Sequence, residues 1–394
     1  MKAAAIAPDS VTFSCLLAGA LRGGNFKEVW AVIDEMDSFG VPPDAYIVSI
    51  MMQAVRKCAA SPRDADRLLA TLDRPDVRIF QDEVVFNTVL DACICHRDRR
   101  RLARVLEEYP RSAVQASVRT YGLLIKACSV LKRTLSCWDL WGEMVKDRGL
   151  VPNEVTLGCM IDALVEAERV DEALALFQEW KPQVKCDTII YSTLIKGFSS
   201  MGDAERAMAL YKDMKLSGVQ MNHIVYTALI NAHARNSLMK RAEALLEEMQ
   251  KDGCQPNVIT FSSLVKGHCV LGDLQAALGL FHQMMDGGLK ADAIIFNTLL
   301  DGCVKTGKWA LGDELLAEME RLGVQQSNFT LSIMVKMWSK RGSLDKAFQC
   351  VYEALREPAG NTRIDAQVGV CTVGACMHNR IPERAIEVLQ EMRG

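Results

Sequence analysis

The sequence lacks most of the signals that place a chain in a functional class. No apolar stretch approaches the roughly 18 uninterrupted residues a helix needs to cross a bilayer, so no transmembrane helix is expected. A phosphate-cradling Gly-x-x-x-x-Gly-Lys-Ser/Thr loop, a His-Glu-x-x-His zinc helix and a Gly-x-Ser-x-Gly nucleophile turn are all missing, which removes the common nucleotide hydrolases, metalloproteases and serine esterases. The acid pairs Asp162 with Asp171 and Asp301 with Asp313 have no third carboxylate clustered beside them, as a two-metal nuclease would need. There is no overall basic charge either. The formal net charge is −3, so any attraction to a polyanion must come from cations segregated onto one face.

Cysteine, by contrast, is plentiful at 14 residues, but its placement argues against disulfides. Cys93, Cys128, Cys303 and Cys376 fall at the same place in a repeating apolar pattern, where free cysteine behaves as a small buried hydrophobe. Cys93-x-Cys95-His96 and the Cys371, Cys376, His378 group offer no second ligand pair at zinc spacing, and packing is the expected role. Neither metal nor cofactor is expected. With 49% hydrophobic and 24% charged residues the composition is that of a folded, globular chain.

What is present is a repeat. Asn222-His223-Ile224-Val225-Tyr226-Thr227-Ala228-Leu229-Ile230 aligns with the segment opening at Asn257-Val258-Ile259-Thr260-Phe261-Ser262, and again with Asp292-Ala293-Ile294-Ile295-Phe296-Asn297, 35 residues apart each time. Ten units follow: 10–44, 45–82, 83–117, 118–153, 154–187, 188–222, 223–257, 258–292, 293–327 and 328–365. Residues 1–9 read as the tail of a preceding unit and 366–394 as a partial eleventh, so the array is expected to be part of a longer one. The longest units, 45–82 and 328–365, carry Pro75 and Pro358 where a connecting loop would stretch.

Each unit reads as two helices. The first starts after an Asp- or Asn-containing step such as Pro43-Asp44 or Pro256-Asn257, where the side chain can cap free N–H groups. It carries an aromatic or Leu at its fourth place and an apolar pair such as Leu194-Ile195 at its seventh and eighth. A break such as Met201-Gly202-Asp203 follows. The second helix spaces Ala207, Leu210, Tyr211 and Met214 at helical intervals and ends in glycine, as at Gly218, Gly253 and Gly323. Neither helix can bury its apolar face alone, so the units must stack. The expected fold is an all-α, right-handed superhelical solenoid of helix-turn-helix repeats.

The 34-residue Trp/Leu-Gly/Tyr signature of tetratricopeptides is absent. The recurring Asp/Asn, then Val/Ile at place two, Tyr/Phe at place four, Asn/Ser/Thr at place five and Leu-Ile, resembles the pentatricopeptide repeat family in its plain P-class form over about nine-tenths of the chain. The resemblance implies that each repeat addresses one RNA base through its fifth and last residues, while second-place residues of neighbouring repeats sandwich the base. Single-stranded RNA suits such a code because its unstacked bases expose their Watson–Crick edges.

Carried over, Ser14 with Asp44 and Ser49 with Asp82 imply guanine, and Asn87 with Ser117 cytosine. Gly122 with Asn153 and Gly158 with Asp187 depart from the pattern, since glycine supplies no side-chain hydrogen bond. Ser192 with Asn222 and Thr227 with Asn257 imply adenine, Ser262 with Asp292 guanine, Asn297 with Ser327 cytosine, and Ser332 with Asp365 guanine. The implied target is 5′-GGCnnAAGCG-3′. The sandwiching set is Val11, Tyr46, Val84, Arg119, Val155, Ile189, Ile224, Ile259, Ile294 and Phe329, although the Val and Ile members could equally be packing at helix starts.

Four and eight places beyond the fifth residue, near the same helix face, lie Arg22, Lys57, Lys126, Lys196, Arg235, Lys266, Lys305, Lys336 and Lys340, against Asp91, Asp162, Glu166 and Asp301. This stripe is a candidate phosphate track, or simply a solvated face. The Arg97-Asp98-Arg99-Arg100-Arg101 run falls at an inter-helix turn. The resemblance implies a non-catalytic binder of an organellar transcript, in plastid or mitochondrion, acting in RNA processing, stabilisation or translation. No small-molecule substrate or membrane is implied, and the protein would act as one copy. The alternatives are a protein-interaction scaffold or the RNA-binding arm of a larger enzyme. A scaffold, however, has no reason to hold place five to Ser, Asn or Thr in eight of ten units.

Overall fold

The computed structural model describes residues 8–24, 26–57, 66, 69–70, 79–356 and 365–391. Among them are twenty-one α-helices and no strand. In chain order they are α1 (Ser10–Arg22) and α2 (Phe26–Ser38); α3 (Ala45–Lys57); α4 (Glu83–Cys95) and α5 (Arg99–Glu108); α6 (Val118–Val130) and α7 (Thr134–Gly142); α8 (Glu154–Glu166) and α9 (Val170–Trp180); α10 (Thr188–Met201) and α11 (Ala204–Leu216). They continue with α12 (His223–Arg235) and α13 (Met239–Lys251); α14 (Val258–Leu271) and α15 (Leu274–Asp286); α16 (Ala293–Thr306) and α17 (Trp309–Arg321); α18 (Asn328–Lys340) and α19 (Leu344–Arg356); α20 (Ala366–His378) and α21 (Pro382–Glu391). The stretches around Pro75 and Pro358, and most of the expected second helix of the 45–82 unit, lie outside the described residues.

The chain divides into two compact units, Met1–Gly197 and Phe198–Gly394, with the division inside α10. Within each, consecutive hairpins stack, as the one-sided burial of their helices requires. In the first unit the fourth-place residues Phe13, Phe86, Tyr121, Leu157 and Tyr191 are fully buried, with the apolar pairs Val89-Leu90, Leu124-Ile125 and Leu194-Ile195 beside them. Each such side chain is worth about 1.5–3 kcal/mol of transfer free energy when buried. A second-helix aromatic meets the next unit's fourth place: Phe177 lies edge-on to Tyr191 with ring centroids 5.2 Å apart. The second unit repeats this with Tyr211 against Tyr226 at 5.8 Å and Phe281 against Phe296 at 5.4 Å. Cys93, Cys128, Cys303 and Cys376 are buried in these cores, and burial pushes the Cys303 thiol up to about 11.

The turn between the two helices needs one residue in the left-handed region. Gly24, Gly202, Gly272, Gly307 and Gly342 occupy that place, and Arg97, Lys132, Glu168, Ser237 and Arg380 take it elsewhere with φ between 51° and 61°. Non-glycine residues pay a steric penalty there. The Arg97–Arg101 run therefore spans the turn, at Arg97 and Asp98, and the first residues of α5. Asp98 caps α5, Arg101 bonds back to Asp98 at 2.6 Å, and Arg99 donates to the Val130 carbonyl at 3.1 Å.

Candidate nucleic-acid interface

Second-place side chains stand in the first turn of each first helix, between a capping residue and the buried third and fourth places. Nine of the ten are apolar, and all nine are between 44% and 67% exposed: Val11, Tyr46, Val84, Val155, Ile189, Ile224, Ile259, Ile294 and Phe329. Arg119, the tenth, is exposed as well. An apolar side chain left this open gains little from packing within the chain, so helix-start packing does not account for them.

The fifth places lie deeper, at the seam between neighbouring first helices. Ser14, Ser49, Asn87, Ser192, Asn297 and Ser332 are buried, while Thr227 and Ser262 are half-buried. Ser14 and Ser192 donate their hydroxyl hydrogens to the Val11 and Ile189 carbonyls at 2.9 Å, so each can only accept from elsewhere. Asn87 Oδ1, Asn297 Oδ1 and Ser332 Oγ are buried with no hydrogen-bond partner, an arrangement native proteins rarely leave unexplained. At the two glycines the surroundings differ. A Cβ on Gly122 would sit 3.2 Å from Thr156 Oγ1, whereas one on Gly158 would meet Ile190 Cγ1 at an ordinary 3.6 Å. Close helix approach accounts for Gly122; nothing comparable holds Gly158.

Last-place residues are helix N-caps. One side-chain oxygen accepts a first-turn N–H in Asp44 (2.8 Å), Asp82 (2.8 and 3.0 Å), Asn153 (2.8 Å) and Asp187 (both 3.0 Å). The same holds for Asn222, Asn257, Asp292 and Asp365 at 3.0 Å and Ser327 at 3.3 Å. Ser117 makes no such cap; its N–H donates to Glu83 Oε1 at 3.1 Å instead. Capping holds one oxygen of each Asp or Asn and leaves the other terminal atom uncommitted: an acceptor oxygen in Asp, a donor nitrogen in Asn.

These parts converge in a cavity of about 560 Å³ in the second unit, between α16 and the start of α18. Ile294, Phe329, Asn297 and Ser327 line it, with Lys266 and the paired Lys305 and Asp301. The rest of the cationic stripe is uneven. Arg22, Lys126, Lys196, Lys266, Lys336 and Lys340 are exposed, but Lys305 pairs with Asp301 at 2.7 Å, and Arg235 donates to the Ser200 carbonyl at 3.1 Å. The side chain of Lys57 lies outside the described residues. Asp162 sits in the stripe with Lys126 and Lys196 acting on it, yet desolvation, aided by Glu166, raises its carboxyl above the usual range.

Sequence reasoning missed two groups. Glu83, at a first place, accepts from the Thr120 hydroxyl at 2.6 Å, and hydrogen bonds from Ser117 and Thr120 hold its carboxyl below the usual range. Thr260, at a third place, bonds both members of a fifth-and-last pair. The recurrence of threonine at place three, in Thr12, Thr120, Thr156, Thr260 and Thr330, was the available signal. Among the described residues no three His, Cys, Asp or Glu side chains group as metal ligands, and no helix is long and apolar enough to cross a membrane.

Family models match along most of the chain: the PPR repeat family over 8–57, 187–235, 221–270 and 291–340, the PPR repeat over 119–148, 148–181 and 259–289, and the pentatricopeptide repeat domain over 67–130. The chain belongs to the pentatricopeptide repeat family. It is 25% identical over 250 residues to a mitochondrial pentatricopeptide repeat-containing protein of Arabidopsis thaliana, covering 55% of this chain and 31% of that protein. A chloroplastic pentatricopeptide repeat-containing protein of the same plant is 30% identical over 174 residues, covering 44% of this chain and 22% of that one. The chain thus spans less than a third of the length of these relatives. Among solved structures, PPR10 in complex with an 18-nucleotide psaJ RNA element superposes with a TM-score of 0.69 at 17% identity, covering 94% of this chain and 57% of that one. At that identity the match establishes a shared pentatricopeptide repeat fold.

Proposed function

We propose that this pentatricopeptide repeat protein binds a single-stranded RNA in a sequence-specific manner, one base per repeat, with the target 5′-GGCnnAAGCG-3′. The cavity between Ile294 and Phe329 carries the reading. Two open apolar side chains, Ile294 and Phe329, line a gap together with the last-place Ser327 and the fifth-place Asn297. A flat base between them would gain apolar contact on both faces, and rotation of the Asn297 amide toward the gap would let the base edge donate to its oxygen. The cytosine amino group is a donor of that kind. PPR10, of the same fold, has been crystallised with RNA, and the relatives' names place them in chloroplast or mitochondrion, so an organellar transcript is the proposed partner. Occupancy alone would stabilise, process or expose that transcript, without catalysis by these repeats.

The test is binding of the full chain to 5′-GGCnnAAGCG-3′ and to a scrambled ten-mer of the same composition, at fixed stated salt, because phosphate contacts make affinity strongly salt-dependent. A preference of tenfold or more for the first is expected. Equal affinities would defeat the code, and binding to neither would defeat the RNA reading.

A further inference from the structure

We infer that Thr260 is a positioning residue that fixes the hydrogen-bond polarity of Thr227 and Asn257, and that through them it makes the 223–257 repeat prefer adenine over guanine. This rests on the RNA-binding reading above. Thr260 is the third residue of the following repeat and is fully buried. Asn257 Oδ1 accepts its backbone N–H and its hydroxyl, each at 3.0 Å. A backbone N–H can only donate, so the capping atom must be the amide oxygen, and Nδ2 is the atom left over. The single hydroxyl hydrogen of Thr260 is thereby committed to Asn257.

Thr227 Oγ1 lies 2.8 Å from Thr260 Oγ1. Asn257 Oδ1 has no hydrogen to give, so with the Thr260 hydrogen assigned to that oxygen Thr227 becomes the donor in this contact and keeps only lone pairs for any further partner. The pair therefore offers one acceptor, Thr227 Oγ1, and one donor, Asn257 Nδ2. Adenine presents the complement, an amino donor beside the N1 acceptor. Guanine presents O6 and N1–H, the opposite polarity at both atoms.

The bridge is not a general property of the third place. Ile295 holds that place after the Ser262 and Asp292 pair, and only its N–H meets Asp292, at 3.0 Å. Thr156 follows Gly122 and Asn153, and its hydroxyl donates to the Val118 carbonyl at 2.9 Å. A valine at 260 keeps the β-branched shape and the N–H that Asn257 caps. It removes only the hydroxyl, which frees the Thr227 hydrogen to reach guanine O6.

The experiment compares the full chain with Thr260→Val and Thr260→Ser on 5′-GGCnnAAGCG-3′, on the same RNA with guanine at the seventh base, and on a third RNA changed at the eighth base. The expected result for Thr260→Val is a roughly tenfold fall in adenine-over-guanine preference at the seventh base, the scale of one hydrogen bond. Preference at the eighth base should be kept, the melting temperature should fall by a few degrees because the hydroxyl also accepts the Asn257 N–H of the capping box at 3.5 Å, and Thr260→Ser should behave as wild type. An unchanged seventh-base ratio in Thr260→Val would overturn the inference. So would an equal loss at the eighth base, which would mark a general loosening. A wild-type chain indifferent to the seventh base would instead overturn the code reading on which the inference stands.

Discussion

Exchanging Asn257 for Asp separates capping from base reading at one residue. In the native chain Oδ1 caps α14 by accepting the Thr260 N–H at 3.0 Å, and Nδ2 is free of that duty. Asn257→Asp keeps the capping oxygen and changes only the outer atom, from a donor to an acceptor. Asp and Asn cap equally well, and a negative charge at a helix N-terminus adds a few tenths of a kcal/mol, so the melting temperature should not fall. In the register above, the new outer acceptor faces guanine N1–H, a donor, whereas adenine N1, itself an acceptor, loses its donor. Adenine loses one neutral hydrogen bond, about 1 kcal/mol, while guanine gains a charge-assisted one of about 1.5–3 kcal/mol. The swing is about 2.5–4 kcal/mol, or roughly 60- to 800-fold in the adenine-to-guanine ratio. Fluorescence polarisation with four ten-mers differing only at the seventh base measures it, with thermal melting as the control for the cap. A ratio that stays put, in a variant that melts like wild type, would refute the claim that the outer atom of the last residue reads the base.

Three further outcomes follow from local geometry. Glu168 is exposed and holds φ of 61° at the turn place where Gly202 sits at 80°; Glu168→Gly should stabilise the array by about 1 kcal/mol, seen as a higher melting temperature. A Cβ at Gly302 would lie 3.0 Å from both Cys269 Sγ and Leu274 Cδ1, while one at Gly279 meets nothing within 4 Å. Gly302→Val should therefore cost about 1–3 kcal/mol, and Gly279→Ala should gain about 0.5–1 kcal/mol, both read by denaturant melts. The raised carboxyl of Asp162, with Glu166, Lys126 and Lys196 acting on it, gives a pH dependence of definite sign. The cost of ionising it in the folded chain is absent below its ordinary value of 3.8 and fully present above the raised one. RNA affinity should rise as the pH falls through that raised value, because a negative charge leaves the cationic stripe. Asp162→Asn should bind more tightly at neutral pH and lose this contribution to the pH response; a variant with the wild-type profile would show that Asp162 is not its source.

The spacing of Tyr226, Phe261 and Phe296 and the Asp or Asn before each first helix made the helices and their order legible, because helical periodicity and capping are local and written in adjacent residues. The same pattern located the second, fifth and last places. It could not tell whether Ile259 and Ile294 were packing or presented, since an apolar residue at a helix start serves either use. Their exposure appears only when the neighbouring hairpin is in position and leaves that turn uncovered.

Local sequence thus determined the repeat, its two helices and the kinds of side chain at each place. Tertiary stacking decided the rest. It set the burial of Asn87, Asn297 and Ser332 at the seams, the partnerless oxygens there, and the close approach that Thr156 makes to Gly122. It also joined Thr227 to Asn257 through Thr260, residues as many as 33 positions apart. Hydrogen-bond polarity in a buried seam depends on which groups meet across two repeats. No single repeat contains that information, because half of each seam belongs to its neighbour.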